Sequence, residues 1–172
     1  KLSALLHNNI ALKYHDLQKP NEAIQEYTKA IDIDPTYSLA FYNRAITERS
    51  LEMLDDALRD YTKAHELDPT DSDALNNRGS IYFHQNKFDL AAQDFSKSIE
   101  LDTTSPFPYF NRALCFSEIG MYVLEARDLR KANQNNQQMY SDRLKDVLSF
   151  LLAESLSAFL HKPLLQNLNK RK

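Results

Sequence analysis

Three short motifs return along this 172-residue chain at a single interval of 34 residues. Asn43-Arg44-Ala45 recurs as Asn77-Arg78-Gly79 and Asn111-Arg112-Ala113, and one step earlier stands Asn9-Ile10-Ala11. Ile33-Asp34-Pro35 recurs as Leu67-Asp68-Pro69 and Leu101-Asp102-Thr103. Ala23, Ala57 and Ala91 are each followed four residues on by Tyr27, Tyr61 and Phe95, and three further by Ala30, Ala64 and Ser98. A period of this length restricts the chain to stacked copies of one supersecondary unit, each burying a face that it cannot bury alone. Small, aromatic and small residues at steps of four and three share one face of a helix. The small residues let two helices approach, and the aromatic ring fills the space beside them. Asp-Pro closes the second helix, since proline cannot extend the hydrogen-bond ladder and restrains the residue before it. Each unit therefore reads as two antiparallel helices joined by a short turn.

This pattern resembles the tetratricopeptide repeat. Set in that family's frame, the repeats are 4–37, 38–71, 72–105 and 106–139. Repeat three fits best, with Leu75, Gly79, Tyr82, Phe88, Ala91 and Phe95 at consensus sites. Repeat two has Ala45 where glycine is commonest and Glu48 where an aromatic is usual. Repeat one has Pro20 in its inter-helix turn. Repeat four is atypical. It opens with Pro106 and Pro108, which suit a helix's first turn. Its second helix brings Glu125 to the alanine site, whereas a one-residue slip would bring Ala126. The unslipped register is preferred because Asp128 then matches Asp60 and Asp94. The polar run from Asn133 to Gln138 reads as a loop or frayed helix end. Tyr140, Leu144, Val147, Leu148, Leu151, Leu152, Leu156, Phe159 and Leu160 then form an apolar stripe. They give a helix over about 140–160 that stops near Pro163 and caps the stack, with 161–172 as a tail in which Leu164, Leu165 and Leu168 could extend the seal. The resemblance implies an all-α fold: a single domain over 1–172, built as a right-handed α-solenoid with a concave inner surface.

Composition narrows the chemistry. The apolar content is 42%, the net charge −3, and there are two glycines and one cysteine. Two glycines cannot supply a phosphate-cradling loop or the turns of an all-β fold. No apolar run is long enough to span a membrane. Cys115 has no cysteine to pair with and reads as core. His7, His15, His65, His84 and His161 make no metal-ligand spacing, and no nucleophile, nucleotide or kinase motif occurs. Asp55-Asp56 and Asp32/Asp34 fall at turns or helix ends and read as solvated surface. The reading is a non-enzymatic chain needing no cofactor and no metal, and contacting neither membrane nor nucleic acid. Nothing at the N-terminus reads as a signal peptide. A start at Lys1 is that of a processed chain or a piece, so a cytoplasmic location is only the default.

Asn9, Asn43, Asn77 and Asn111 share the sixth site of their repeats. In several proteins that this chain resembles, that site faces the concave groove and bonds the backbone of an extended peptide. An amide both donates and accepts, so it matches a peptide group without demanding a side chain. Around the ladder stand Leu39, Tyr42, Ile46, Phe83, Phe107 and Phe110, which suit an apolar or aromatic ligand segment. One subclass clamps the acidic tails of chaperones with lysines, an arginine and asparagines. Here Asn8, Leu12, Asp73 and Asn77 stand at its sites and Asn43 alone matches, so that partner is not expected. Arg44, Arg78 and Arg112 each precede Asp60, Asp94 and Asp128 by sixteen residues, which reads as one internal ion pair per repeat. The functional expectation is a scaffold for protein–protein interaction that holds an extended peptide. The alternatives are an architectural segment of a larger repeat protein or assembly, working through its outer face and C-terminal helix, and a regulatory module attached to an enzyme.

Overall fold

The computed structural model describes residues 2–135 and 140–169, with side chains to residue 155. The described residues are helical, joined by short turns. In chain order the helices are α1 (Leu2–Asp16), α2 (Pro20–Ile33), α3 (Ser38–Ser50), α4 (Leu54–Leu67), α5 (Ser72–His84), α6 (Phe88–Leu101), α7 (Phe107–Glu118), α8 (Tyr122–Asn135) and α9 (Ser141–Asn169). They gather into two compact groups, Lys1–Thr103 and Thr104–Lys172.

In the first group, α1/α2, α3/α4 and α5/α6 pair, and α3 and α5 also pack on the second helix of the preceding repeat. The periodic residues form this core: Ala11, Ala45 and Gly79 on first helices meet Ala23/Tyr27/Ala30, Ala57/Tyr61/Ala64 and Ala91/Phe95/Ser98 on second helices, all buried. A Cβ on Gly79 would stand 2.9 Å from Phe95 Cε1 and 3.2 Å from Asp94 Cβ, so α5 and α6 approach closer there than alanine admits without displacing the Phe95 ring.

The turn inside each repeat uses a device absent from the motifs. Gln18, Glu52 and Asn86 have φ of 58°, 59° and 58°, and Gly120 has 75°. These are one site, stepped by 34. The next amide reaches back five residues each time: Lys19 to the Tyr14 carbonyl (2.9 Å), Met53 to Glu48 (2.9 Å), Lys87 to Tyr82 (2.9 Å) and Met121 to Phe116 (2.7 Å). This is the Schellman closure, whose left-handed residue is usually glycine. Only repeat four supplies one. Glu52→Gly is expected to raise stability by about 0.5–1 kcal/mol, the strain of a Cβ in that conformation outweighing the added chain entropy; denaturant melts that show a loss instead would contradict it. Between repeats, Asp34 and Asp68 stop the second helix. Each Oδ1 accepts from the amide and hydroxyl of Thr36 or Thr70, at 2.6–3.1 Å.

In the second group, α7 begins after Pro106 with Pro108 in its first turn. The unslipped register of α8 is the one found: Glu125, Asp128, Leu129 and Ala132 are buried and Asp128 meets Arg112. The helix also takes in the polar run as far as Asn135; the rest of that run lies outside the described residues. α9 packs on α8 with Tyr140, Val147, Leu144 and Leu151. Two expectations change. Leu148 and Leu152 face outward, because the apolar stripe is wider than the single helix beneath it can cover. The helix does not stop near Pro163 but runs to Asn169. A proline removes one donor from the ladder, and the bonds on either side carry the helix past that gap. The side chains of Leu156, Phe159, Leu160, His161, Leu164, Leu165 and Leu168 lie outside the described ones.

Candidate functional site

The first helices of repeats one to three lie side by side, tied by their asparagines. Asn43 Nδ2 donates to Asn8 Oδ1 of α1 at 3.1 Å, and Asn77 Nδ2 donates to the Tyr42 hydroxyl of α3 at 3.0 Å. Each amide therefore reaches the fifth site of the preceding repeat. Asn8 is 1% exposed, so its carbonyl needs that donor. Asn77 Oδ1 accepts from Arg49 Nη1 at 3.4 Å. Asn9 is exposed on α1. Asn43 thus spends one amide hydrogen on joining helices, and Asn77 spends one hydrogen and also its carbonyl oxygen. Asn43 Oδ1 and the second hydrogen of each Nδ2 stay available.

The flanking residues divide. Leu39 is 45% exposed and Tyr42 is half-buried, its ring edge-on to Tyr61 at 5.9 Å. Ile46 packs against the repeat-two core. Phe83 turns toward Phe88 of α6, with ring centroids 5.4 Å apart. Asp73 and Asp71 lie near the Tyr42 end, where burial and the neighbouring carboxylates of Asp71 and Asp102 raise the Asp73 pKa. Burial, Asp73 and Asp71 likewise raise that of Tyr42. The face is therefore apolar at Leu39 and Tyr42, acidic at the start of α5, and basic at Arg49, which was not singled out as a site residue in the sequence. In the second group, Phe107 is exposed, Phe110 stacks on Tyr140 at 4.2 Å, and Asn111 is half-buried on α7.

Repeats two to four each carry an internal ion pair between their two helices. Arg44 Nε and Nη2 bond Asp60 at 2.6 and 2.9 Å, Arg78 bonds Asp94 at 2.8 and 2.7 Å, and Arg112 bonds Asp128 at 2.7 and 3.0 Å. A third bond was not foreseen. Arg44 Nη1 donates to Thr28 Oγ1 and Arg78 Nη1 to Thr62 Oγ1, both at 2.9 Å, on the second helix of the preceding repeat. Each of these arginines therefore joins three helices. The matching step from Thr28 to Thr62 was legible as a fourth periodic series. Repeat one replaces the pair with His7 Nδ1 and Glu26, 2.6 Å apart.

Glu48 occupies the site held by Tyr14, Tyr82 and Phe116 in the other repeats. It is 5% exposed, its Oε1 is 3.7 Å from Arg44 Nε, and its Oε2 has no partner. Burial above all, and then the Asp60 charge, push its pKa up to about 7 against the pull of Arg44. In the unfolded chain this carboxyl ionises near the ordinary glutamate value. From that value up to about 7 the native state holds a proton that the unfolded state has lost, so stability falls as pH rises through the interval. Glu48→Gln is expected to flatten this dependence and to be more stable than wild type at pH ~8 by on the order of 2 kcal/mol. Melts at several pH values check it; parallel curves for the two proteins would contradict it.

Cys115 is fully buried, and burial pushes its thiol up to about 12, which leaves no thiolate for chemistry. Among the described residues no three His, Cys, Asp or Glu side chains gather as a metal site, and no helix is long and apolar enough to cross a membrane.

A stack of two-helix repeats with small-to-aromatic contacts and a 34-residue step defines a helical repeat protein. Two family patterns match this sequence: Tetratricopeptide repeat at residues 38–71 and 72–104, and TPR repeat at 11–47. The chain belongs to the tetratricopeptide repeat family. Similar solved structures include MamA from residue 41 to its end, from Desulfovibrio magneticus RS-1, at TM-score 0.78 and 16% identity over 99% of this chain and 97% of that one. The first TPR of Spaghetti (RPAP3), bound to the HSP90 peptide SRMEEVD, aligns at TM-score 0.67 and 26% identity over 69% of this chain and 94% of that one. YrrB, described as a TPR protein with an unusual peptide-binding site, aligns at 0.73 and 17% over 86% and 77%. At their identities, MamA and YrrB establish likeness of fold. No curated protein matches the sequence significantly.

Proposed function

We propose that this chain is a non-enzymatic scaffold that holds an extended, apolar or aromatic peptide against its first helices. The observation that carries this reading is the face of α1, α3 and α5. It sets Leu39 outward beside Tyr42, with free amide atoms on Asn43 and Asn77 at one-repeat spacing. Those atoms bond a peptide backbone, and the apolar neighbours select its side chains. Peptide complexes of Spaghetti and the peptide site of YrrB support the general mode. The peptide SRMEEVD bound by the former, with its three carboxylate side chains, does not suit a face whose α5 end carries Asp71 and Asp73. Asn9 extends the proposed contact set on α1. In the second group by itself, Asn111, Phe107 and Phe110 of α7 are the proposed contacts, with Phe110 the weakest member because Tyr140 already covers it.

Selection of random dodecapeptides displayed on phage tests the class of ligand. Enrichment of apolar and aromatic sequences supports the reading; enrichment of acidic C-terminal tails, or of nothing, contradicts it.

One observation favours the second reading, an architectural segment. Leu2 and Leu6 stand exposed along α1, and Leu17 in the turn just after it. Ala40 and Ala74, the equivalents of Leu6 in repeats two and three, are buried. Association of the purified chain in sedimentation experiments, without added peptide, would support it.

A further inference from the structure

The groove reading makes no use of a pocket of about 250 Å³ between α8 and α9, lined by Tyr122, Glu125, Arg143, Asp146, Val147 and Phe150. Its walls are aromatic: the Tyr122 and Phe150 rings meet edge-on with centroids 4.8 Å apart. Its charges are two carboxylates and one guanidinium, and the guanidinium is committed. Arg143 donates through Nε to Glu125 Oε1 at 2.8 Å, places Nη2 2.6 Å from the same oxygen, and also donates through Nη2 to Ser117 Oγ of α7 at 2.7 Å. Glu125 is 1% exposed, yet its Oε2 has no hydrogen-bond partner. A buried carboxylate with one oxygen lacking a donor is poorly compensated, so a positive charge held nearby gains more than it would at the surface. Asp146 stands at the mouth, exposed and outside every ion pair of the described residues.

We propose that this pocket binds the cationic end of a lysine or arginine side chain from a partner protein. The aliphatic stem lies against Val147 and the two rings, and the charge sits beside Asp146, within the field of the buried Glu125 carboxylate. Aromatic walls with paired carboxylates favour a cation, and they disfavour an anion, which would meet both carboxylates while Arg143 is held by Glu125 and Ser117. The site lies wholly within the second group of helices and does not depend on the groove. Its consequence is a partner contact at the capping helix, chosen by charge where the first-helix face chooses by apolar surface.

The test is an NMR titration of the full chain with n-butylguanidinium, and with n-butanol and butyrate as neutral and anionic counterparts of the same stem. Butylguanidinium is expected to shift the amide signals of 122–125 and 143–150 with a midpoint about five-fold below that of butanol. Asp146→Asn, at a surface position with no internal bond to lose, should raise that midpoint about three-fold while the melting temperature stays unchanged. Equal binding of butanol or butyrate, shifts confined to other helices, no shifts at all, or an unchanged midpoint in Asp146→Asn would each overturn the proposal.

Discussion

Asp94→Ala is expected to lower the free energy of unfolding by about 3 kcal/mol, far more than loss of a surface ion pair costs. The pair is bidentate, and its side chains are 19% and 10% exposed, Arg78 and Asp94 respectively. Removing the carboxylate leaves the Arg78 guanidinium wedged among α4, α5 and α6 with two donors unsatisfied and only Thr62 Oγ1 still in reach. Most of the loss is that stranded charge and not the worth of the pair itself. Arg78→Met combined with Asp94→Leu should therefore recover much of the stability that either single change removes. Urea melts of the two singles and the double check the cycle. If the double variant were as unstable as the sum of the singles, the two residues would be uncoupled and the stranded-charge account would fail; if Asp94→Ala cost less than about 0.5 kcal/mol, the pair would be loosely solvated. Peptide affinity that survives in the folded fraction of these variants would assign the arginines to the architecture and not to the ligand.

The same residues show what a single sequence discloses. Three periodic series were enough to give the helix pairs, the small-to-aromatic core and the sixteen-residue partnership of arginine with aspartate, because packing repeats when the backbone repeats. Chemistry that borrows different residue types escaped. The left-handed turn site is Gln18, Glu52, Asn86 and Gly120, and glycine, the one residue that would have marked it, occurs once. The asparagine ladder was visible as a ladder, but its direction was not: Asn43 and Asn77 reach Asn8 and Tyr42, two different acceptors at one site. Glu125 looked like a misfit at an alanine position. It is one until Arg143, eighteen residues on and in another helix, supplies its counter-ion. Pro163 marked a helix end by local rule, and the helix of which it is part continues.

The division of labour within the ladder sets how the groove is to be tested. Alanine at Asn43 removes a donor from buried Asn8 as well as a ligand contact, so reduced binding in that variant would mix folding with recognition. Leu39 is free of this confusion. It is 45% exposed on α3 beside Tyr42 and is not part of the repeat-two core. A carboxylate there puts an unpaired charge against an apolar ligand segment, at a cost of about 2 kcal/mol. Leu90 of α6, 44% exposed on a second helix, is the matched control. The measurement is the dissociation constant of one phage-selected peptide for wild type, Leu39→Asp and Leu90→Asp. The account predicts affinity about thirty-fold weaker in Leu39→Asp and unchanged in Leu90→Asp, with all three equally helical. Equal affinity for wild type and Leu39→Asp, or an equal loss in Leu90→Asp, would contradict a peptide site on the first helices.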